Sequence, residues 1–263
     1  MDLGLKGKVA FVAGASSGLG LASARELAAE GCHVVLCSRD AGRIAAAAES
    51  VRSVGTDVRV LPLTCDVTSE EQIVGALSET VSTLGGLNIL VTNAGGPPSG
   101  LVGDFDADDW RSALELNLMS TINLTRHALP HLRDAARTSG HARIIMITSV
   151  SAKQPIPNLY LSNVARAGVH GFAKSLAEEV GREGITVNTL LPGFTRTERL
   201  VGLARSIQER TGRTPEDTER DWASAAALQR IAEPEEFAAA LAFLASKRAS
   251  YITGVSLPVD GGR

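Results

Sequence analysis

At 263 residues the chain is long enough to bury a large core within a single domain. Hydrophobic residues make up 44% and charged residues 21%, and 26 basic against 29 acidic side chains leave a formal charge of −3. This is ordinary globular usage, and it gives no electrostatic reason to expect nucleic acid or an anionic membrane as a partner. The three cysteines, Cys32, Cys37 and Cys65, form no CxxC pair and read as small buried hydrophobes in a reducing compartment. No apolar run approaches the roughly 20 residues of a membrane span. The opening MDLGLKGKVAFVAGASSG has no charged-then-apolar leader pattern, so a cytoplasmic chain is expected.

Short apolar runs alternate with longer helical patterns from end to end. The runs are VAFVAG (9–14), HVVLCS (33–38), VRVLPL (58–63), LNILVTN (87–93), ARIIMITS (142–149), ITVNTLLP (185–192) and GVSLPVD (254–260). Each is apolar on both faces, as strands buried in a parallel sheet are. Between them, segments such as LASARELAAEG (21–31) and GFAKSLAEEVG (171–181) repeat apolar residues every three or four positions and close on glycine. The alternation predicts an α/β fold: a doubly wound, Rossmann-like parallel sheet of about seven strands with helices on both faces. One domain over 1–263 is expected. Residues 198–229, rich in charge and alanine, interrupt the rhythm before the last strand and read as a helical insertion beside the sheet's carboxyl edge, a natural substrate lid.

Between the first strand and first helix lies Gly14-Ala15-Ser16-Ser17-Gly18-Leu19-Gly20. A dinucleotide pyrophosphate requires glycine there, because the chain must turn tightly, approach the phosphates closely and present free helix N–H groups. A purely structural loop is the competing reading, and the strand-turn-helix setting favours the dinucleotide. The spacing is GxxxGxG. Together with TNAG at 92–95, Asn117 in LELNL, Ser149 in ITSVS, LPGFTRT at 191–197 and the YITG…VDGG ending at 251–262, it resembles the short-chain dehydrogenase/reductase family. The likeness is to its 3-oxoacyl-ACP-reductase-like members and covers the whole chain.

The end of the second strand separates the two nicotinamide cofactors, since an acid there accepts bonds from the adenosine ribose and repels a 2′-phosphate. Here Ser38 takes that position and Arg39 follows, so NADP(H) is expected in preference to NAD(H). The alternative is Arg39 as a solvated loop charge. Asp40 close by, and Ser17 where many NADP-using relatives place a base, weigh against the preference.

The resemblance implies hydride transfer between nicotinamide and a small-molecule carbonyl or alcohol substrate. It implies that Asn93, Ala94 and Gly95 line the cofactor, that Pro192, Gly193 and Thr197 flank the nicotinamide and phosphates, and that Asp66, with Val67, caps the adenine. Asp66 also reads as part of a helix N-cap region in DVTSEE. Ala13 and Thr92 depart from the family's usual Thr and Asn, and both positions belong to internal bracing. The family's pairing helices correspond to roughly 108–137 and 160–181, implying a homodimer or homotetramer.

In this family a serine orients the oxygen, a tyrosine moves the proton, a lysine lowers the tyrosine's pKa and holds the ribose, and an asparagine keeps a relay water. An unperturbed phenol, with a pKa of about 10, needs that neighbouring cation. Aligned from AGVHGFAKSLAEEV backward or from Ser149 forward, the tyrosine position falls on Ser162 and the lysine position on Arg166. The candidate catalytic set is therefore Asn117, Ser149, Ser162 and Arg166, with Tyr160 two residues early. Ser162 and Arg166 share a helix face, whereas Tyr160 and Ser162 differ by about 200° on a helix. Pro155 and Pro157 just upstream leave open a loop conformation from which Tyr160 reaches the site.

Three readings follow. The chain is a reductase whose acid is Tyr160, Ser149 or water, with Arg166 supplying electrostatic stabilisation; it acts on a substrate whose anion needs no strong acid; or it is a catalytically silent NADP(H)-binding regulator or partner protein. The histidines at 33, 127, 131, 141 and 170 have no ligand spacing, and no metal is expected.

Overall fold

The computed structural model describes residues 2–55 and 57–263. Its strands are β1 (Val9–Ala13), β2 (His33–Ser38), β3 (Val60–Thr64), β4 (Ile89–Thr92), β5 (Ala142–Ile147), β6 (Ile185–Pro192) and β7 (Ser256–Val259). They form one seven-stranded sheet in the order β3-β2-β1-β4-β5-β6-β7, with parallel pairing throughout. The chain winds outward from β1 through β3, then returns to the centre and winds the other way from β4. That reversal between β1 and β4 opens a crevice at the strands' carboxyl ends, where ligands bind in such sheets.

The helices are α1 (Gly18–Ala29), α2 (Ala41–Arg52), α3 (Glu70–Leu84), α4 (Ala107–Leu114), α5 (Ser120–Ser139), α6 (Tyr160–Val180), α7 (Glu198–Thr211), α8 (Pro215–Ser224) and α9 (Pro234–Ala245). Strand alternation sorts the core into two layers. Val9, Phe11 and Ala13 pack with α3, α5 and α6 on one face. Ala10 and Val12 pack with α1, α2 and α9 on the other, around Leu27, Ile44 and Phe237. Both faces are covered, which is why each run lacks a polar stripe.

Element ends depart from the sequence expectation by a few residues, for local reasons. The fifth run stops at Ile147 because the Ser149 hydroxyl accepts from Ser151 N–H at 3.1 Å and caps a short 3-10 turn, Val150–Ala152. Pro62 sits inside β3, which is tolerable because β3 is an edge strand. The insertion at 198–229 resolves into α7 and α8. The latter starts at Pro215 under the Thr214 cap. A π-helical turn, Glu115–Met119, joins α4 to α5.

Candidate active site

A cavity of about 890 Å³ lies at the carboxyl edge, walled by the loops after β1, β2, β3, β4, β5 and β6 and by α6 and α7. Gly14, Ser16, Ser17, Gly18 and Leu19 form its floor at the switch point. Gly14 has φ +59, and a Cβ there would come within 2.8 Å of the Asn93 side chain. Asn93 in turn donates Nδ2–H to Gly14 O at 3.1 Å, tying the first loop to the end of β4. Gly20 does not reach the cavity. A Cβ there would lie 2.3 Å from Gly14 O, so its task is to let the helix press against the loop.

The N-terminus of α1 is left open. Ser17 occupies the N-cap position without making a side-chain cap bond, and no acid sits in the first turn. By contrast, α3 and α4 begin with a capping Ser69 or Asp106 and two first-turn acids each. The unpartnered N–H groups of α1 and its positive dipole end thus fit a phosphate.

At the β2 edge, Ser38, Arg39, Asp40 and Arg43 line the cavity. Asp40 is engaged as the α2 N-cap, accepting from Arg43 N–H at 2.8 Å. Arg43, one turn beyond Arg39, pairs with Glu198 of α7 at 2.8 Å. Arg39 pairs with no carboxylate among the described residues. Two guanidiniums and a hydroxyl make this edge suitable for a dianionic phosphate. After β3, Val67 lines the cavity and Asp66 does not. The Asp66 carboxylate accepts instead from Thr68 N–H (2.9 Å) and Thr68 Oγ1–H (2.8 Å) in the turn before α3.

Ala94, Gly95, Pro192, Gly193 and Thr197 all line the central cavity. Thr197 caps α7, accepting from Leu200 N–H at 3.3 Å. Ser149, Ser162 and Arg166 also line the cavity. Ser162 and Arg166, one turn apart on α6, are each 7% exposed. Arg166 donates Nη1–H to Ile147 O at 3.0 Å and Nη2–H to Ala94 O at 3.3 Å, bridging the ends of β5 and β4. Its Nε is buried without a partner. Desolvation, aided by the Arg199 charge, brings the Arg166 pKa down to about 10, still protonated at neutral pH.

Tyr160 does not join them, and the loop conformation considered above is not adopted. It is the first residue of α6, 42% exposed, outside the cavity. The helix starts early because Asn163 pins the proline loop to it. Ile156 N–H donates to Asn163 Oδ1 at 3.3 Å, and Asn163 Nδ2–H donates to Ile156 O at 2.9 Å. With residue 160 already helical, the two-residue offset turns its side chain away from that of Ser162.

Asn117 sits in the π-helical turn behind Leu116, which lines the cavity. Its Nδ2–H donates to Ala113 O at 3.2 Å, and its Oδ1 is a buried acceptor without a partner. Thr92 likewise buries an unpartnered hydroxyl behind the site.

Several cavity residues escaped the sequence reading: Arg43, Thr148, Arg199, Leu200, Leu203 and Arg263. Arg43 carried a usable signal, its i, i+4 spacing from Arg39. Arg199, Leu200 and Leu203 lie within the segment 198–229 expected as a lid, and Thr148 adjoins Ser149, but nothing in the sequence singled out these side chains.

Comparison with known proteins fits this geometry. The family model described as enoyl-(acyl carrier protein) reductase matches residues 14–263. The chain is 34% identical to the short-chain reductase protein NovJ of Streptomyces niveus, over 97% of this chain and 93% of NovJ. It is also 34% identical to the 3-oxoacyl-[acyl-carrier-protein] reductase FabG of Vibrio cholerae, over 99% and 98%. L-sorbose reductase from Gluconobacter frateurii, solved with NADPH and L-sorbose, superposes with a TM-score of 0.92 at 36% identity, covering 100% of this chain and 98% of that one. Actinorhodin polyketide ketoreductase, solved with NADPH, gives 0.90 at 30% identity, over 97% and 96%. With the fold, the glycine loop and this coverage in agreement, the chain belongs to the short-chain dehydrogenase/reductase family.

Proposed function

We propose that this protein is an NADP(H)-dependent oxidoreductase that reduces a carbonyl, or oxidises an alcohol, without a tyrosine–lysine pair. The cavity wall carries this reading: Ser38, Arg39 and Arg43 line it at the β2 edge beside the open start of α1, and Ser149 and Ser162 line it beyond the ends of β4 and β5. Such a wall suits a ligand bearing several negative charges. Ser38, Arg39 and Arg43 would hold a 2′-phosphate. The open start of α1, with Ser16, Ser17 and Thr197, would hold the pyrophosphate. Asn93, Ala94, Gly95, Pro192 and Gly193 would flank the ribose and nicotinamide. The solved relatives that carry NADPH support the same cofactor.

When bound, the dinucleotide supplies or accepts the hydride. The chain's own side chains then have three tasks. Ser149 and Ser162 orient the substrate oxygen by hydrogen bonding. Arg166 stabilises the negative charge that develops on it, from a desolvated position where such charge counts most. Asn117 offers its free buried acceptor to a relay water. The proton comes from a serine hydroxyl or water, since arginine is a poor proton donor. Helices α7 and α8 serve as the substrate lid. A dimer or tetramer formed through α5 and α6 belongs to the same reading, and the exposed Tyr160 and Val164 on α6 suit that contact.

One observation favours a second reading, cofactor binding without turnover: among the described residues, no tyrosine, lysine or histidine lines the cavity. The deciding experiment follows NADPH oxidation over a broad panel of ketones, using NADPH deuterated at the transferred position. The expected result is oxidation with a primary isotope effect. Tight NADPH binding with no oxidation of any ketone would instead support the silent regulator.

A further inference from the structure

Four consecutive residues after β4, Ala94 to Pro97, are held from two sides by guanidinium groups. Arg166 approaches from α6 and donates to Ala94 O at 3.3 Å. Arg199, in the first turn of α7, donates Nη1–H to Gly96 O at 2.8 Å and Nη2–H to Pro97 O at 3.3 Å. The contact is close enough that a Cβ on Gly96 would fall 2.0 Å from Arg199 Nη2, so only glycine admits it.

What the two arginines lack is a counter-ion. Among the described residues, neither has a carboxylate within ion-pair reach. Their neighbours do: Arg196 pairs with Glu219 and Glu233, and Arg43 with Glu198. Burial lowers the pKa of both Arg166 and Arg199, and the charge of Arg199 weighs on Arg166 as well. Arg166 is a buried positive charge, and Arg199, with its side chain exposed, adds a second on the same cavity wall; an anion beside them would offset the cost of the buried one. Both keep donors in hand. Each guanidinium has five N–H groups, of which the carbonyl bonds use two. The Arg166 Nε is buried and unpartnered, and Arg166 is one of the residues that line the cavity.

Under the proposed function the cofactor's phosphates would be held elsewhere, at the open end of α1 and at the β2 edge. The Arg199 end has a different lining, with Ile156, Leu159, Leu200 and Leu203 making an apolar wall beside Ser162. We propose that Arg199, backed by Arg166, is the receptor for a carboxylate on the substrate, so that the protein acts on carbonyl or alcohol compounds carrying a carboxylate on a compact apolar frame. The word substrate rests on the oxidoreductase reading above, but the anion site can be tested without turnover.

The test is calorimetric titration of the NADP⁺-saturated protein with cyclohexanecarboxylate and with its neutral analogue, cyclohexanecarboxamide. The parent should bind the carboxylate at least about tenfold more tightly. Arg199→Gln should bring the two ligands within about twofold of each other, and Arg199→Lys, which keeps the charge, should restore part of the difference. NADP⁺ affinity, titrated separately, should stay within about threefold in both variants. Equal affinity for the two ligands in the parent, or no carboxylate binding, overturns the proposal. So does an Arg199→Gln variant that loses NADP⁺ affinity while keeping the carboxylate preference, since Arg199 would then serve the cofactor. A protein that prefers the carboxylate yet oxidises no NADPH would retain the anion site and lose only the catalytic reading.

Discussion

Tyr160 and Ser162 stand on opposite sides of α6, the first in solvent and the second buried in the cavity wall one turn before Arg166. Two helical residues two positions apart cannot exchange places without unwinding the turn between them. Tyr160→Phe should therefore leave kcat/KM within about twofold of the parent, as surface substitutions remote from the chemistry do. Steady-state kinetics with any ketone the parent reduces provides the check. A loss of tenfold or more would bring the phenol back into the proton path.

Cofactor preference should reside at the β2 edge. The parent is expected to bind NADPH more tightly than NADH by at least about tenfold, and Arg39→Ala should remove most of that margin, in keeping with about 1.5–3 kcal/mol for a hydrogen bond to a charged group. Fluorescence titration of both dinucleotides measures it. Arg43→Ala should have a smaller effect, because Arg43 already shares its charge with Glu198. Equal NADPH and NADH affinities in the parent would refute the assignment.

Arg166 has two roles that substitution can separate. Arg166→Met removes the donors to Ile147 O and Ala94 O and should cost about 1–3 kcal/mol of stability, together with at least a hundredfold in kcat/KM. Arg166→Lys keeps the charge but not the fork, and should recover activity more than stability. Urea unfolding alongside kinetics distinguishes the two effects. A fully active Arg166→Met variant would remove the guanidinium from the chemistry.

An acid-sensitive element lies away from the site. His141, 3% exposed, has its pKa lowered to about 4 by burial first and then by the charges of Arg143, Lys8 and Lys247. An imidazole in the unfolded chain titrates near 6.5, so between about 6.5 and 4 the unfolded state binds the extra proton. Stability should therefore fall as the pH drops through that window, by about 1–3 kcal/mol from this group. His141→Gln should flatten that part of the profile in urea melts at about pH 7.5 and 4.5. An unchanged decline would place the sensitivity elsewhere.

The sheet was legible because its signal is local: continuous apolar runs, glycine-closed helices and a glycine loop in the right setting. Strand ends were not, since Thr148 and Ser149 are as strand-like in sequence as Ile147 and only the Ser149–Ser151 bond ends the strand. The exclusion of Tyr160 was half legible. Helical phase opposed it, but the start of α6 depends on Asn163 meeting Ile156, and the two prolines pointed the other way. Arg199 was hidden for a different reason. Its partners are carbonyls 103 and 102 positions away, and a carbonyl carries no side-chain label.

Asn163 limits what the first turn of α6 can do. By taking both the N–H and the C=O of Ile156, its amide acts like one rung of a ladder and sets the rotational phase of α6 at its first turn. A slip of two residues that carried Tyr160 inward would break both bonds and expel Ser162 and Arg166 into water. The helix frame is thus held, and under the proposed function what changes is which side chains occupy it. Under the proposed function, phenol chemistry would have to be introduced by substitution at positions 162 and 166, because the Asn163–Ile156 bonds hold the helix in phase.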